Sequence, residues 1–360
     1  MRVFSVDIES RIDLALRPPA EELVTREELK TLLETEARPG HYIGFEISGY
    51  LHLGTLVLSS FKINDLAQAG FKTKVFLADW HSVLNRKLGG DWEKILVAAK
   101  YYREAFKLLC PQTEVVLGSD LYHANDSYWR DVMRFALQIS LARTARCLTI
   151  MGRSENEKLD LAQYFYPPMQ AVDIHEIGAQ LPHGGMDQRK IHMLAREVFP
   201  ALGWSKPLAL HHHLLPGLAE PPKLSGEADK QAKTLAAKMS KSKPWTAVFV
   251  HDSPEQVKAK LAKAFCPPEA EGNPVLELAK YLVFHEFKEV VVHRESKFGG
   301  DVAFASYEEM EAAFLAKKLH AADLKNCVAE YVDKIISPVR KHFENKKELL
   351  EVYEGVEITR

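Results

Sequence analysis

Residues 42–199 predict a parallel α/β sheet of the doubly wound kind, followed from about residue 246 by a smaller helical domain. Three observations carry that expectation. Strand-like and helix-like segments alternate from Tyr42 onward, the pattern that covers a parallel sheet with helices. A glycine-flanked turn, Ser48 to Gly54, joins the first strand to a helical pattern. After Trp245 the periodicity becomes mainly helical, and Ser253-Pro254-Glu255-Gln256 is a capping box with proline at the first helical position.

The elements follow in order. Residues 1–40 read as a helical N-terminal extension, with Thr25 and Glu28 placed as a capping box ahead of Leu29, Leu32 and Leu33. Residues 41–245 form the α/β domain: a strand near Tyr42 to Ile47, a helix near Leu53 to Ala69, a strand Thr73 to Asp79, a helix from about Asp91 to Leu109 and a strand Glu114 to Leu117. Helices follow near Pro167 to Ile177 and near Asp187 to Phe199, where Ile191, Leu194, Ala195 and Val198 share one face. Pro216, Gly217, Pro221, Pro222 and Gly226 make Leu215 to Gly226 a loop. Residues 246–360 are the C-terminal helical domain, with a second capping box at Ser306 to Glu309. In such a sheet, ligands are expected beyond the carboxyl ends of the strands.

At 360 residues, 46% hydrophobic and 27% charged, the chain can bury a large core. A formal net charge of −2 gives no global nucleic-acid footprint, so any such contact must come from local basic patches. Cys110, Cys147, Cys266 and Cys327 lie far apart, without zinc or redox spacing, which points to reduced thiols in a cytosolic protein and no structural metal. His211-His212-His213 lacks a partner cluster and reads as a solvated loop. No stretch is apolar enough to span a membrane, and no basic segment leads into an apolar run at the N-terminus.

Neither a P-loop nor a Gly-x-Gly-x-x-Gly fingerprint is present. The candidate phosphate cradle is the Ser48–Gly54 turn, where Gly44, Gly49 and Gly54 permit close backbone approach and His52 can donate to a phosphate. Downstream, Lys238-Met239-Ser240-Lys241-Ser242 supplies two lysines on a Ser-rich loop, point charges suited to a triphosphate. Together these segments resemble the two signatures of class I aminoacyl-tRNA synthetases, usually called HIGH and KMSKS. The second match is complete, while Thr55 stands where the first ends in histidine. The resemblance implies a Rossmann-like catalytic domain that binds ATP as substrate through His52, Gly54, Thr55, Lys238, Met239, Ser240, Lys241 and Ser242. Catalytic roles fall to His52, Lys238 and Lys241, and Mg²⁺ rides on the phosphates rather than in a protein cage.

In Tyr166-Pro167-Pro168-Met169-Gln170-Ala171-Val172-Asp173-Ile174-His175, Tyr166, Gln170 and Asp173 step by four and then three and so share one helical face, either a polar pocket wall or a solvent-facing stripe. This segment, Tyr42 to Gly54, Gly184-Gly185-Met186-Asp187-Gln188-Arg189-Lys190 and the lysine motif resemble the tyrosyl-tRNA synthetases of archaea and eukaryotes, from about residue 40 to about residue 340. The resemblance implies that Tyr42 and Asp173 hold the phenol of tyrosine, and that Tyr166, Gln170 and Gln188 hold its α-amino group. The chemistry agrees: a phenol both donates and accepts, matching a carboxylate and a facing hydroxyl, whereas the indole N–H of tryptophan only donates.

The same resemblance assigns the tRNA acceptor arm to Arg143, Arg146, Arg189 and Lys190. The anticodon falls to Phe298, His320 and Asp323, with Cys266-Pro267 matching a nearby position and Ala321 standing where proline is common. Phe298 beside two glycines can present a ring for stacking or serve as a core aromatic. The implied activity is a tyrosine–tRNA ligase acting on tRNA(Tyr) in the cytoplasm, as a homodimer and without a membrane partner. Two other readings remain: a nucleotidyltransferase acting on a small metabolite, and a catalytically silent RNA-binding module, the latter motivated by Thr55.

Overall fold

The computed structural model describes residues 7–151, 159–222 and 236–354. By internal contact the chain separates into two units: Met1–Gly49, Lys62–His213 and Glu348–Arg360 form the first, and Tyr50–Phe61 with Leu214–Lys347 the second. This partition follows packing and differs from a division at residues 40 and 245.

The first unit runs α1 (Ile8–Leu16), β1 (Ala20–Val24), α2 (Arg26–Thr35) and β2 (Gly40–Glu46), then α3 (Ser59–Gln68), whose first residues fall in the second unit. It continues with β3 (Lys72–Ala78), α4 (Asp79–Leu84), α5 (Trp92–Leu109), β4 (Glu114–Leu117), α6 (Gly118–His123), α7 (Tyr128–Ala136), α8 (Leu141–Cys147), α9 (Tyr166–Glu176), β5 (Leu181–Gly185), α10 (Arg189–Val198) and β6 (Ala209–His212). The sheet order is β1-β6-β5-β2-β3-β4, parallel throughout except for the antiparallel β1–β6 pair. From β2 the chain moves outward through β3 and β4, and from β5 in the opposite direction to β6. The switch point therefore lies between β2 and β5, where an open α/β sheet binds its ligand.

Parallel strands covered by helices are buried on both faces, and Val75, Phe76 and Leu77 of β3 are accordingly fully buried. One core cluster joins Tyr42, Phe76, Tyr122, Tyr128, Phe135, Met169 and Val172. A second joins Ile12, Ala15, Leu29 and Leu33 to Phe71, Leu181 and Leu210.

That second cluster corrects the reading of the N-terminus as helical throughout. Residues 20–24 form an edge strand on β6, with Val24 opposite Ala209. Two glutamates in Ala20-Glu21-Glu22-Leu23-Val24 mask the strand pattern, yet an edge accommodates charge. The buried Lys62 ammonium donates to the carbonyls of Leu14 and Ala15 at 3.2 and 3.3 Å and lies 2.9 Å from Asp65. Thr25 does cap α2, accepting from the Glu28 backbone N–H.

The histidine triplet is a second correction. His211 and His212 belong to β6 and are buried, not solvated. Across the sheet, His41 Nε2 lies 3.1 Å from His183 Nδ1, and His183 Nε2 lies 2.8 Å from His212 Nδ1. His192 Nδ1 of α10 meets His211 Nε2 at 3.0 Å. Lateral hydrogen bonds between strands satisfy side chains that a sequence pattern assigns to water.

In the second unit, Leu53–Leu58 is a π-helical stretch continued by the start of α3. Helices Pro254–Ala262 and Ala321–Phe343 pack together. The Ser253 capping box forms as the sequence indicates, with proline in the first turn. The unit is not wholly helical: β7 (Val290–Val292) and β8 (Val302–Phe304) form an antiparallel pair. The described part of the Leu215 to Gly226 loop, through residue 222, holds no strand or helix; from residue 223 it lies outside the described residues. Among the described residues no helix is long and apolar enough to cross a membrane, and no group of three or more His, Cys, Asp or Glu side chains is arranged to hold a metal.

Candidate functional site

The first unit gathers all five expected tyrosine-binding residues around the β2/β5 switch point. Tyr42 lies on β2, Tyr166, Gln170 and Asp173 on α9, and Gln188 just after β5. Proline at the start of α9 costs nothing, because those first N–H groups have no intrahelical partner. Helical spacing turns Tyr166, Gln170 and Asp173 to one side, and Tyr166 and Asp173 are buried, so this face is not a solvent stripe. Gly44 makes room for the Tyr42 hydroxyl: a Cβ there would lie 2.5 Å from Tyr42 Oη. The Gln170 amide donates to Gln188 Oε1 at 3.0 Å, and Gln188 donates to the Ile150 carbonyl at 3.3 Å. Gln170 Oε1 itself is buried without a hydrogen-bond partner.

Asp173 is the centre of this face. Tyr128 donates to Asp173 Oδ1 at 2.7 Å, while Oδ2 is buried with no hydrogen-bond partner and lies 3.6 Å from His81 Nε2. Burial pushes the Asp173 carboxyl well above the usual range; the Tyr128 and then the Tyr122 hydroxyl oppose that shift, and the charges of Asp79 and Glu176 add to it. Burial pushes His81 down to about 3, so its imidazole is neutral at physiological pH. Burial and then the Asp173 charge raise Tyr42, which keeps its phenol proton. The Tyr122 hydroxyl is buried beside Asp173 and Tyr128, its ring stacked on Tyr128 at 4.1 Å between centroids. A set of unpartnered buried donors and acceptors is costly unless a polar ligand completes it.

Sequence reasoning missed Tyr128, Tyr122 and His81. His81 follows the carboxyl end of β3, which is itself a signal for a ligand group. Nothing in the sequence separates Tyr122 and Tyr128 from ordinary core aromatics.

The second unit brings the two nucleotide signatures together. Leu53 N–H donates to the Val248 carbonyl at 3.1 Å and Val250 N–H to the Leu51 carbonyl at 3.1 Å, so His52 is bridged to Phe249 just downstream of the lysine motif. Phe249 N–H in turn donates to Asp252 Oδ2, which also accepts from Lys260 at 2.6 Å. The motif itself is anchored by Met239, which is buried and donates its N–H to the Leu215 carbonyl at 2.7 Å. Ser240 and Ser242 hydroxyls lie 3.0 Å apart.

His52 caps the π-helical stretch. Its Nδ1 accepts from the backbone N–H groups of Gly54 and Thr55 at 3.2 and 3.4 Å. A Cβ on Gly54 would come within 3.3 Å of the His52 ring, a tight contact that the glycine avoids. Burial, then the charges of Lys241 and Lys238, hold His52 well below its usual pKa; it is neutral, with both lysines in electrostatic range. Its Nε2 lies 2.8 Å from Thr55 Oγ1.

Of the expected RNA-binding residues, Arg143, Arg146 and Lys190 cluster around Cys147. Arg143 forms a two-pronged pair with Glu197, both bonds 2.6 Å, and Arg189 pairs with Glu22 at 2.8 Å. Lys190 donates to the Arg146 carbonyl at 3.3 Å and to Thr149 Oγ1 at 3.2 Å. Phe298 sits in the β7–β8 connection and is 61% exposed, which removes the core reading; Lys297 lies 4.9 Å from its ring. His320 caps the helix Ala321–Phe343, and Asp323 lies in its first turn. Ala321 occupies the first helical position, where proline fits equally well. Cys266 lies 3.5 Å from the Asn273 amide.

A doubly wound sheet with polar groups at its switch point, together with a histidine turn held against a lysine motif, defines a class I aminoacyl-tRNA synthetase. The family model for tRNA synthetases of class I (W and Y) matches residues 34–337, and the chain belongs to this family. It is 48% identical to the tyrosine–tRNA ligase of Thermococcus sibiricus over 376 aligned positions, which cover 99% of this chain and 100% of that one. Its structure is similar to that of the tyrosyl-tRNA synthetase of Pyrococcus horikoshii complexed with L-tyrosine, with TM-score 0.90, 46% identity, and 98% and 100% of the two chains covered. The corresponding Archaeoglobus fulgidus complex gives TM-score 0.83 and 40% identity, covering 93% and 99%.

Proposed function

We infer that this chain is a tyrosine–tRNA ligase, which activates tyrosine with ATP as tyrosyl-adenylate and transfers the tyrosyl group to the 3′ end of tRNA(Tyr). The observation that carries the reading is the buried Asp173 carboxylate with one oxygen unpartnered, on the wall that also holds Tyr42. A phenol hydroxyl donates to the first and accepts from the second. Full-length relatives named for this activity, and similar structures that hold L-tyrosine, support it. Tyr166, Gln170 and Gln188 receive the α-amino group.

The tyrosine carboxylate is ionised at neutral pH and attacks the α-phosphorus of ATP as the bond to pyrophosphate breaks, so the step needs no general base. Lys238 and Lys241 neutralise charge growing on the departing pyrophosphate, and Mg²⁺ accompanies the nucleotide phosphates. The turn at His52, Gly54 and Thr55, with Met239, Ser240 and Ser242, completes nucleotide binding.

Arg146 and Lys190, with Arg143 and Arg189 exchanging their carboxylate partners for phosphate, meet the acceptor arm. Phe298 offers a stacking face and His320 and Asp323 polar edges to the anticodon. In functional terms 1–40 is the N-terminal extension, 41–245 the catalytic region and 246–360 the anticodon-binding region. The enzyme works in the cytoplasm as a homodimer.

ATP/pyrophosphate exchange with tyrosine, tryptophan and phenylalanine in parallel tests the reading. Exchange with tyrosine alone is expected. Discrimination of about 10⁵ against phenylalanine is the reference behaviour of this enzyme class and sets the scale, although these distances do not supply it. Exchange with none of the three overturns the assignment.

A further inference from the structure

We propose that Tyr128 is the positioning residue for substrate discrimination: its hydroxyl holds Asp173 by Oδ1 and so presents Oδ2 to the phenol of tyrosine. The proposal rests on the tyrosine reading above and adds to it a residue that never needs to touch the substrate.

The geometry divides the carboxylate into two unequal oxygens. Oδ1 accepts from the Tyr128 hydroxyl at 2.7 Å, a short bond, whereas the same hydroxyl stands 3.4 Å from the Met169 carbonyl. Oδ2 has no hydrogen-bond partner although the residue is fully buried. A carboxylate with one oxygen bound has a defined plane, so its second oxygen faces one direction. Tyr128 is itself fixed, buried in α7 and stacked on Tyr122.

The second consequence concerns charge. Burial favours the protonated carboxyl, and a protonated Asp173 would lose its capacity to accept from the phenol through a charged oxygen. The groups facing it are Tyr128 of α7, Tyr122 of α6, His81 and Asp79 of α4, Tyr42 of β2, and Tyr166 and Glu176 of α9. His81 is neutral, and Asp79 and Glu176 work against ionisation. No cation stands among these groups, so hydrogen-bond donation is the means left to favour the charged form; the 2.7 Å bond from Tyr128 is the larger contribution, ahead of that of the Tyr122 hydroxyl.

Tyr128→Phe removes one oxygen and keeps the stacked ring. Tyrosine kcat/KM in pyrophosphate exchange should fall by about tenfold or more, through KM rather than kcat, with phenylalanine kcat/KM unchanged, so that discrimination falls by the same factor. The acidic limb of the tyrosine kcat/KM profile should move to higher pH. In the Asp173→Asn background the same substitution should cost little further, because Tyr128 acts through Asp173. Tyr128→His, which keeps a ring donor, serves as a second variant and should restore part of the discrimination. Equal losses for both amino acids, an unmoved pH limb or full additivity with Asp173→Asn would overturn the positioning role. Wild-type protein inactive with tyrosine would instead overturn the tyrosine assignment itself, so the two failures are distinguishable.

Discussion

Thr55 Oγ1 lies 2.8 Å from His52 Nε2. Because Nδ1 accepts from the Gly54 and Thr55 backbone N–H groups, the ring hydrogen belongs on Nε2, which donates to the threonine hydroxyl. The hydroxyl keeps its own proton to donate onward. If His52 acts on ATP, the Thr55 hydroxyl is placed to extend its reach in a chain whose signature lacks the second histidine.

Thr55→Val tests this pairing. It preserves shape but strands the buried Nε2–H of His52, at a cost of about 1–3 kcal/mol. Exchange should slow about tenfold or more at saturating tyrosine, with tyrosine affinity unchanged. Thr55→Ser should retain most of the rate. A fully active valine variant would mean that the hydroxyl has no part in handling ATP.

Lys238→Ala and Lys241→Ala address the phosphate end. Each should lower the rate of adenylate formation by about 10²–10³-fold, the scale for removing one preorganised group that stabilises transition-state charge. Tyrosine affinity, measured by equilibrium binding, should change by less than about twofold. Comparable losses in rate and affinity would contradict a role confined to the departing pyrophosphate.

The central strands were readable because β2 and β3 are local, apolar and bounded by turns. The edge strand β1 was not, because Glu21 and Glu22 obey the looser rules of an edge. His211 and His212 looked solvated because their partners, His192 and His183, come from other elements that only the folded sheet brings alongside. The site shows the same split. Tyr166, Gln170 and Asp173 announce themselves by spacing within one helix, while Tyr128 meets Asp173 from 45 residues away. Similarly, both signature motifs were legible as text, but the hydrogen bonds that hold Leu51 and Leu53 to Val250 and Val248 are nonlocal.

The proposed homodimer would use α7 and its C-terminal side. Trp129, Met133, Leu137 and Leu141 recur every fourth residue and are exposed, Leu137 by 83% and Leu141 by 70%. Large exposed apolar side chains that gather into a patch mark interaction surfaces. Leu137→Asp should shift the protein from dimer to monomer in light scattering at micromolar concentration, without lowering its melting temperature by unfolding the core. A variant that remains dimeric would place the interface elsewhere.

The histidine network predicts acid lability with a definite sign. Burial pushes His41 down to about 3 and His212 to about 4, and holds His183 and His192 well below the usual value. The charges of Lys62 and Asp187 act on His212 in opposite directions, and Glu22 and Arg189 do so on His211. Unfolded, these side chains titrate near 6.5. Above that value both states are neutral and stability is at its plateau. Between 6.5 and the depressed folded value the unfolded chain binds protons that the native state refuses, so stability falls as pH falls. From pH 6.5 to 5, His41 and His212 each remove about 1.6 kcal/mol. Buried carboxyls act oppositely: Asp173, raised in the fold, favours the native state as pH drops. The difference between wild type and His212→Gln cancels that contribution. Denaturant unfolding at pH 7, 6 and 5 should give a slope shallower in the variant by up to about 1.4 kcal/mol per pH unit, because glutamine keeps a hydrogen bond to His183 without a titrating ring. Parallel slopes would mean that His212 does not carry the acid sensitivity of the sheet.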